Sequence, residues 1–283
     1  MTNIVYGSEL SKEMKSILAD EIATVCKNRR KPSLAVILIG ENPASLSYVR
    51  GKNKAVEAVG MEFKLFKYPQ SIDKESIIEQ IKDLNANPNI DGILVQLPLP
   101  PQLNEKEILN YIDPKKDVDG LHQVNVGKLY LNEEGFIPCT PLGIIELLKK
   151  MQVEIAGKHA VVIGRSNLVG LPVAKLLLNE NATVTVCHSK TKNLKAITKT
   201  ADILIVAVGI PKMITAEYVK KDSYIIDVGV NRVDNKLCGD CDFDNLLDSC
   251  TAITPVPKGV GPMTITMLLY NTFKAYKERE LQW

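Results

Sequence analysis

The stretch from Lys158 to Glu180, KHAVVIGRSNLVGLPVAKLLLNE, constrains the fold more than any other, because strand, glycine turn and helix follow one another without a break. Ala160 to Ile163 is a short apolar run, Gly164 closes it, and Val169 to Leu178 repeats apolar residues at helical spacing. Such a turn aims backbone N–H groups and the positive end of a helix dipole at the space beyond the strand. That arrangement suits an anion, most often a dinucleotide pyrophosphate. Ser166 stands where the usual fingerprint has its second glycine, and the closing glycine arrives one residue late, at Gly170. By itself the stretch also fits an α/β domain that binds no nucleotide.

The next strand, Ala182 to Cys187, sharpens the reading. In an NAD site it would end near a carboxylate for the ribose hydroxyls; here it ends in His188, Ser189, Lys190 and Thr191. Arg165, Ser189 and Lys190 can instead neutralise and hydrogen-bond a 2′-phosphate, so NADP is expected rather than NAD. The competing view makes Lys190 and Lys192 solvated loop charges.

Composition excludes several classes. Lysine and arginine total 35 against 33 acidic residues, so no global charge calls for nucleic acid or a membrane surface. The N-terminal MTNIVYGSELSKEM lacks the pattern of a secretory signal, and no apolar run is long enough to span a bilayer; a soluble cytoplasmic protein is expected. Cys238 and Cys241 form a lone CxxC with no second pair or nearby histidine, so no metal site is expected, and the six cysteines read as ordinary thiols.

Along the chain, Ser8 to Arg29 has an amphipathic helix pattern and Pro32 to Gly40 contains a buried strand. Asn42 and Pro43 read as cap and first residue of a helix to Val59, with Gly60 beyond its end, which puts Tyr48 and Lys52 on one face. Met61 to Tyr68 is a strand, Lys74 to Asn87 a helix and Asp91 to Gln96 a strand, so Gln96 sits at a strand's carboxyl end. A short helix from Asn104 to Tyr111 leads to DPKKDVDGLHQVNVGKL, a polar, turn-rich loop too long for a passive connector. Thr140 is expected to cap a helix from Pro141 to Met151. After the dinucleotide unit come a helix (Asn193 to Thr200), two strands in ADILIVAVG and SYIIDVGV, a Pro/Gly-rich loop from Thr254 to Thr264, and a last helix from Ile265 to about Arg279. Strands alternating with helices imply parallel sheets with functional groups at their carboxyl ends.

Seven blocks then fall into order: Tyr48-Val-Arg-Gly-Lys52, Gln96-Leu-Pro-Leu-Pro100, Lys116-Asp-Val-Asp-Gly120, Gly164-Arg-Ser166, His188-Ser-Lys-Thr191, Asp227-Val-Gly229 and Pro255-Val-Pro-Lys-Gly-Val-Gly-Pro-Met-Thr264. Together they resemble bifunctional methylenetetrahydrofolate dehydrogenase/methenyltetrahydrofolate cyclohydrolase along essentially the whole chain. The resemblance implies two α/β domains, the second Rossmann-like with a doubly wound parallel sheet, and a folate cleft between them. Residues 1–140 plus 265–283 would form the folate domain and 141–264 the NADP domain. It also implies a cytoplasmic homodimer acting in one-carbon metabolism and purine biosynthesis, on tetrahydrofolate derivatives with or without a polyglutamate tail.

The resemblance further assigns roles. Lys52 would manage the proton of the attacking water, Tyr48 would position the pterin, Gln96 would hydrogen-bond Lys52 or substrate, and Asp119 would accept hydrogen bonds from the pterin. Asp117 is the better candidate for capping the turn. Pro257, Gly259, Val260 and Gly261 would touch folate, and Gly164, Arg165, Ser166, Ser189 and the backbone at Val230 would hold NADP. None of His122, His159 and His188 is needed for catalysis. In the loop Pro257 to Gly261 the family usually has glycine where this chain has Lys258, a residue that adopts positive φ at a cost.

Two other readings compete. A dehydrogenase of a small hydroxy or amino acid would explain the dinucleotide turn and Lys52, but not QLPLP, KDVDG and VGPMT together. A non-catalytic binding protein would be expected to have lost Lys52 or Asp119, and both are present.

Overall fold

The computed structural model describes residues 2–234 and 236–280. The chain opens with β1 (Asn3–Ile4) and α1 (Gly7–Val25), then β2 (Ser33–Ile39), α2 (Pro43–Ala58), β3 (Glu62–Tyr68), α3 (Lys74–Ala86), β4 (Gly92–Val95), α4 (Glu105–Leu109) and α5 (Gln123–Leu131). It continues with α6 (Cys139–Lys150), β5 (His159–Ile163), α7 (Gly170–Asn179), β6 (Thr183–Cys187), α8 (Leu194–Thr198), β7 (Ile203–Val206) and β8 (Tyr224–Asp227). The last elements are β9 (Asn231–Val233), β10 (Lys236–Cys238), α9 (Phe243–Leu246), β11 (Ala252–Ile253) and α10 (Val260–Glu280). Two compact units result: Glu13–Cys139 with the chain from Ile265 on, and the residues up to Lys12 with Thr140–Thr264. No described helix is long and apolar enough to cross a membrane.

The first unit holds a three-stranded parallel sheet in the order β3-β2-β4. β2, SLAVILI, is buried at every position because it lies between two strands with its faces covered. Asn42 caps α2, its Oδ1 accepting from Ala44 N at 2.9 Å and Ser45 N at 3.2 Å, with Pro43 as first helical residue. The buried side of α2 carries Ser45, Val49, Lys52 and Val56, so a lysine occupies a position that helical spacing reserves for the core. At the opposite end of the sheet, buried Asp91 takes both arms of Arg30 at 2.7 Å and the Ser33 N–H at 2.9 Å. Tyr276 donates to the Arg30 carbonyl at 2.9 Å, fastening the last turns of α10 to this end.

The second unit holds six parallel strands in the order β1-β11-β8-β7-β5-β6, with the β10–β9 hairpin apart. The chain leaves β5 for β6 on one side and returns to β7 on the other. The reversal opens a crevice at the carboxyl ends of β5 and β7, where doubly wound sheets bind ligands. The residues up to Lys12 go with this unit because β1 pairs with β11.

Several elements differ from expectation for identifiable reasons. The second half of the polar loop is α5, capped by His122, whose Nδ1 accepts from Val124 N at 3.1 Å. α6 begins at Cys139, so Thr140 is inside the first turn rather than at the cap, and its hydroxyl meets that of Thr264 at 2.9 Å. α10 begins at Val260 inside the expected loop; Pro262 is its third residue, where a missing N–H leaves no helical bond unmade. The SYIIDVGV strand stops at Asp227 and passes to the hairpin.

Lys258 has φ 81°, and its carbonyl accepts from Ser8 N at 3.0 Å. A left-handed non-glycine residue costs about 1–2 kcal/mol, and glycine gives back about 0.5–1 kcal/mol in the unfolded chain. Lys258→Gly should therefore raise the urea unfolding free energy by about 0.5–1 kcal/mol, and a decrease would show the left-handed turn to be unstrained.

Candidate functional sites

In the three-stranded unit the expected catalytic residues converge. The Lys52 ammonium, buried on α2, donates to Gln96 Oε1 at 2.9 Å. Gln96 follows β4, its backbone N–H continuing the ladder to Ile37 O at 2.9 Å, and its Nε2 donates to Leu97 O at 2.7 Å. That second bond fixes the amide with its oxygen toward Lys52. Burial pushes the Lys52 pKa below the ordinary lysine range, and the nearby Asp119 charge partly opposes the shift. Tyr48 lies one turn before Lys52 and is 40% exposed, leaving its ring accessible.

The loop carrying Asp119 is pinned on both sides. Asp117 accepts from Leu121 N at 3.2 Å, His122 N at 2.8 Å and Asn125 Nδ2 at 2.8 Å, so it is the turn-capping residue. Burial raises its pKa to about 6 against these hydrogen bonds. Lys116 is structural as well: its Nζ donates to the carbonyls of Leu84 at 2.8 Å and Asn87 at 2.7 Å, closing the end of α3. Beside Asp119 and Lys52 lies a group that sequence reasoning passed over, the buried Cys139 thiol, whose pKa is driven up by desolvation and by the Asp119 carboxylate. Its place between Pro138 and Thr140, directly before the expected helix, was the available signal.

In the six-stranded unit the cofactor residues lie along the carboxyl edge of the sheet. At Gly164, φ is 122° and a Cβ would stand 2.2 Å from Ala207 O; at Gly170 it would stand 2.2 Å from Gly164 O. Both positions therefore exclude side chains, and the late Gly170 supplies the close approach of helix to strand that the third fingerprint glycine usually gives. Ser166 Oγ accepts from Val169 N at 3.2 Å and Gly170 N at 3.4 Å, closing the turn that a second glycine would otherwise make. Arg165 and Ser166 are exposed beyond it. Gly164 N donates to Cys187 O at 2.9 Å, which sets the end of β6 alongside. There His188 accepts from Lys190 N at 3.1 Å and Thr191 Oγ1 accepts from His188 N at 2.9 Å, a turn that presents Ser189 and Lys190 to solvent.

Beyond β8, two buried carboxylates organise the edge: Asp227, which heads one of the seven blocks without a role assigned to it, and Asp240, which the sequence did not single out. Asp227 accepts from the N–H groups of Gly229 at 3.0 Å, Asp240 at 2.9 Å and Cys241 at 2.9 Å, while burial raises its pKa to about 6. Asp240 accepts from Val208 N at 2.7 Å, Gly209 N at 2.9 Å and Asn231 Nδ2 at 2.8 Å. Val230, 52% exposed, is displayed between them. Pro257 and Lys258 line a cleft of about 820 Å³ shared with Lys212, Lys236 and Phe243. Gly259 packs where a Cβ would stand 2.3 Å from Pro255 O, and Val260 and Gly261 open α10. His159 bonds to Thr185 Oγ1 at 2.9 Å and to Thr200, a structural role.

Residues 5–119 match the catalytic domain, and residues 138–280 the NAD(P)-binding domain, of tetrahydrofolate dehydrogenase/cyclohydrolase. A relative from Bacillus anthracis, called bifunctional protein FolD, is 55% identical over 275 residues, covering 97% of this chain and 96% of its own. The crystal structure of the bifunctional enzyme FolD from Campylobacter jejuni superposes with a TM-score of 0.97 at 44% identity, covering 99% of this chain and all of that one. The Trypanosoma brucei dehydrogenase-cyclohydrolase, solved with NADP cofactor and an inhibitor, gives 0.95 at 38% identity over 98% of each chain. Two matched domains and a relative this similar over nearly its full length place the chain in the tetrahydrofolate dehydrogenase/cyclohydrolase family.

Proposed function

We propose that the protein oxidises 5,10-methylenetetrahydrofolate with NADP and hydrolyses the resulting methenyl cation to 10-formyltetrahydrofolate, with Lys52 serving the second step. The observation that carries this reading is the buried Lys52 ammonium held against Gln96, with Asp119 beside it, in the segment matching the family's catalytic domain. Asp119 presents two acceptor oxygens suited to the amino group and ring N–H of a pterin, and Tyr48 offers an exposed face for stacking.

The residues at the carboxyl edge of the larger sheet fit the cofactor. The two glycine contacts leave a backbone cradle that any Cβ would fill, and Arg165 and Lys190 supply positive charge, with the Ser189 hydroxyl as a hydrogen-bond donor, where NAD would need a carboxylate. NADP, when bound, supplies the hydride acceptor. Pro257, Gly259, Val260 and Gly261 are assigned to folate contact, and Val230 offers its backbone to the cofactor. The folate domain is read as residues 1–140 plus 265–283 and the cofactor domain as 141–264, with β1 from the first stretch added to the six-stranded sheet of the second. A cytoplasmic homodimer completes the proposal. Substrates with a polyglutamate tail are included in the reading, with Lys258 as the residue that would meet the tail.

Hydration of a cation needs a water placed and its proton removed. A neutral lysine amine can take that proton, and desolvation shifts Lys52 toward that neutral form. Lys52→Met should lower the methenyl hydrolysis rate about 100-fold or more, followed by the methenyl absorbance, while NADP reduction survives in part. Hydrolysis at the wild-type rate would remove Lys52 from the mechanism. Because the active form is the neutral amine, hydrolysis should climb with pH through the lowered Lys52 pKa. Gln96→Leu deletes a carbonyl that favours the ammonium, so its rising limb should lie at lower pH; a limb moved upward contradicts the assignment. On the cofactor side, Arg165→Ala should raise the KM for NADP about tenfold or more and leave that for NAD nearly unchanged, as loss of a charged hydrogen bond predicts. Equal effects on both would place Arg165 away from the 2′-phosphate.

A further inference from the structure

Asn271 is a buried amide on α10, two turns past the end of the Pro255–Thr264 block and outside every motif named above. Its Nδ2 donates to Val118 O at 2.9 Å and to Ile137 O at 3.0 Å, and lies 3.7 Å from Cys139 Sγ. The two amide hydrogens thus serve two carbonyls from different chain segments. One segment carries Asp119 directly after Val118; the other carries Cys139 two residues after Ile137. The Cys139 thiol donates to the same Val118 carbonyl at 3.4 Å and stands within electrostatic reach of Asp119 and Lys52. The segments meet backbone to backbone: at Gly120, with φ 71°, a Cβ would stand 2.6 Å from both the Ile137 carbonyl carbon and Pro138 N. Asp119 therefore follows two anchored residues, Asp117 tied to Asn125 on α5 and Val118 tied to Asn271 on α10, and precedes Gly120, which packs against the Ile137–Pro138 backbone.

We propose that Asn271 is a positioning residue of the folate site, clamping the Val118 and Ile137 carbonyls so that the Asp119 carboxylate and the Cys139 thiol keep their places beside Lys52. This rests on the function assigned above, in which Asp119 receives the pterin. The clamp reaches substrate through Asp119, so its loss should act on folate and spare the cofactor.

Asn271→Leu keeps the shape and removes both donors. In the full-length protein it should raise the KM for methylenetetrahydrofolate about 10- to 100-fold, the scale of a misplaced binding group, and leave the KM for NADP near the wild-type value. Added to Asp119→Asn, it should change the folate KM by no more than about twofold, because the group it positions is already gone. Native-state alkylation of Cys139 by iodoacetamide, read by peptide mass spectrometry, should speed up as the clamp opens. Wild-type folate KM in folded Asn271→Leu, full multiplication of its effect with Asp119→Asn, or unchanged alkylation would each overturn the proposal. If Asn271→Leu does not fold, Asn271→Ser, which leaves room for a bridging water, carries the same three readouts. If Asp119→Asn leaves folate KM unchanged, the role given to Asp119 fails, and the alkylation rate alone decides whether Asn271 holds Cys139 in place.

Discussion

A lysine ammonium taken out of water must find acceptors or give up its proton, and the three-stranded unit leaves Lys52 between those outcomes. Ser45, Val49, Lys52 and Val56 form the inner stripe of α2, so the helix that buries its apolar residues necessarily buries the ammonium with them. One strong acceptor meets it, Gln96 Oε1, and that oxygen is held in place because the other end of the amide is committed to the Leu97 carbonyl. The start of α2 at its Asn42 cap and the end of β4 one residue before Gln96 are thus parts of one constraint. A shift of either element by one residue would break the pair.

The buried carboxylates obey the opposite rule. Asp91, Asp117, Asp227 and Asp240 are each met by backbone N–H groups, side-chain amides or a guanidinium, and their work is to tie segments together. Asp117 and Asp227 nonetheless have pKa values raised to about 6, a range that in a cleft would suggest an acid or base. Their oxygens are already engaged, which makes them struts. Asp119, two residues from one strut, is the carboxylate left next to the lysine, and the loop around it is rigid because Asp117 and Lys116 spend their polar atoms on backbone.

Parallel strands and their helices were legible because buried strands here are unbroken apolar runs, such as SLAVILI and ILIV, and because α2 announces itself with Asn42-Pro43 at one end and Gly60 at the other. β1 and β11 were not, since two-residue strands have no periodicity to read. The start of α6 was expected two residues late because Pro141 was read as its first residue, and the start of α10 was hidden by Pro262, which looks like a breaker and sits instead in the first turn. Helix α5 was masked by its polar sequence and by a histidine cap. The Lys52–Gln96 contact was foreseen only as one of two options for Gln96, because nothing in spacing says which strand end meets which helix. Asn271 and Asp240 left no trace at all, since their partners are mostly main-chain groups that carry no residue code.

On the proposed chemistry, the order of the two reactions follows from the same buried charge. Before oxidation the folate carries no charge at its one-carbon bridge, and the carboxylate of Asp119 favours the protonated lysine. Hydride removal leaves a cation. Two like unit charges about 4 Å apart repel by about 4 kcal/mol at an effective dielectric of about 20. That is close to three pKa units, since one unit corresponds to about 1.4 kcal/mol. A lysine already lowered by burial is then pushed further toward its neutral form when a methenyl cation is present to be hydrated. The product of the first step therefore favours release of the ammonium proton to solvent, and the neutral Lys52 amine left behind can accept the proton of the attacking water.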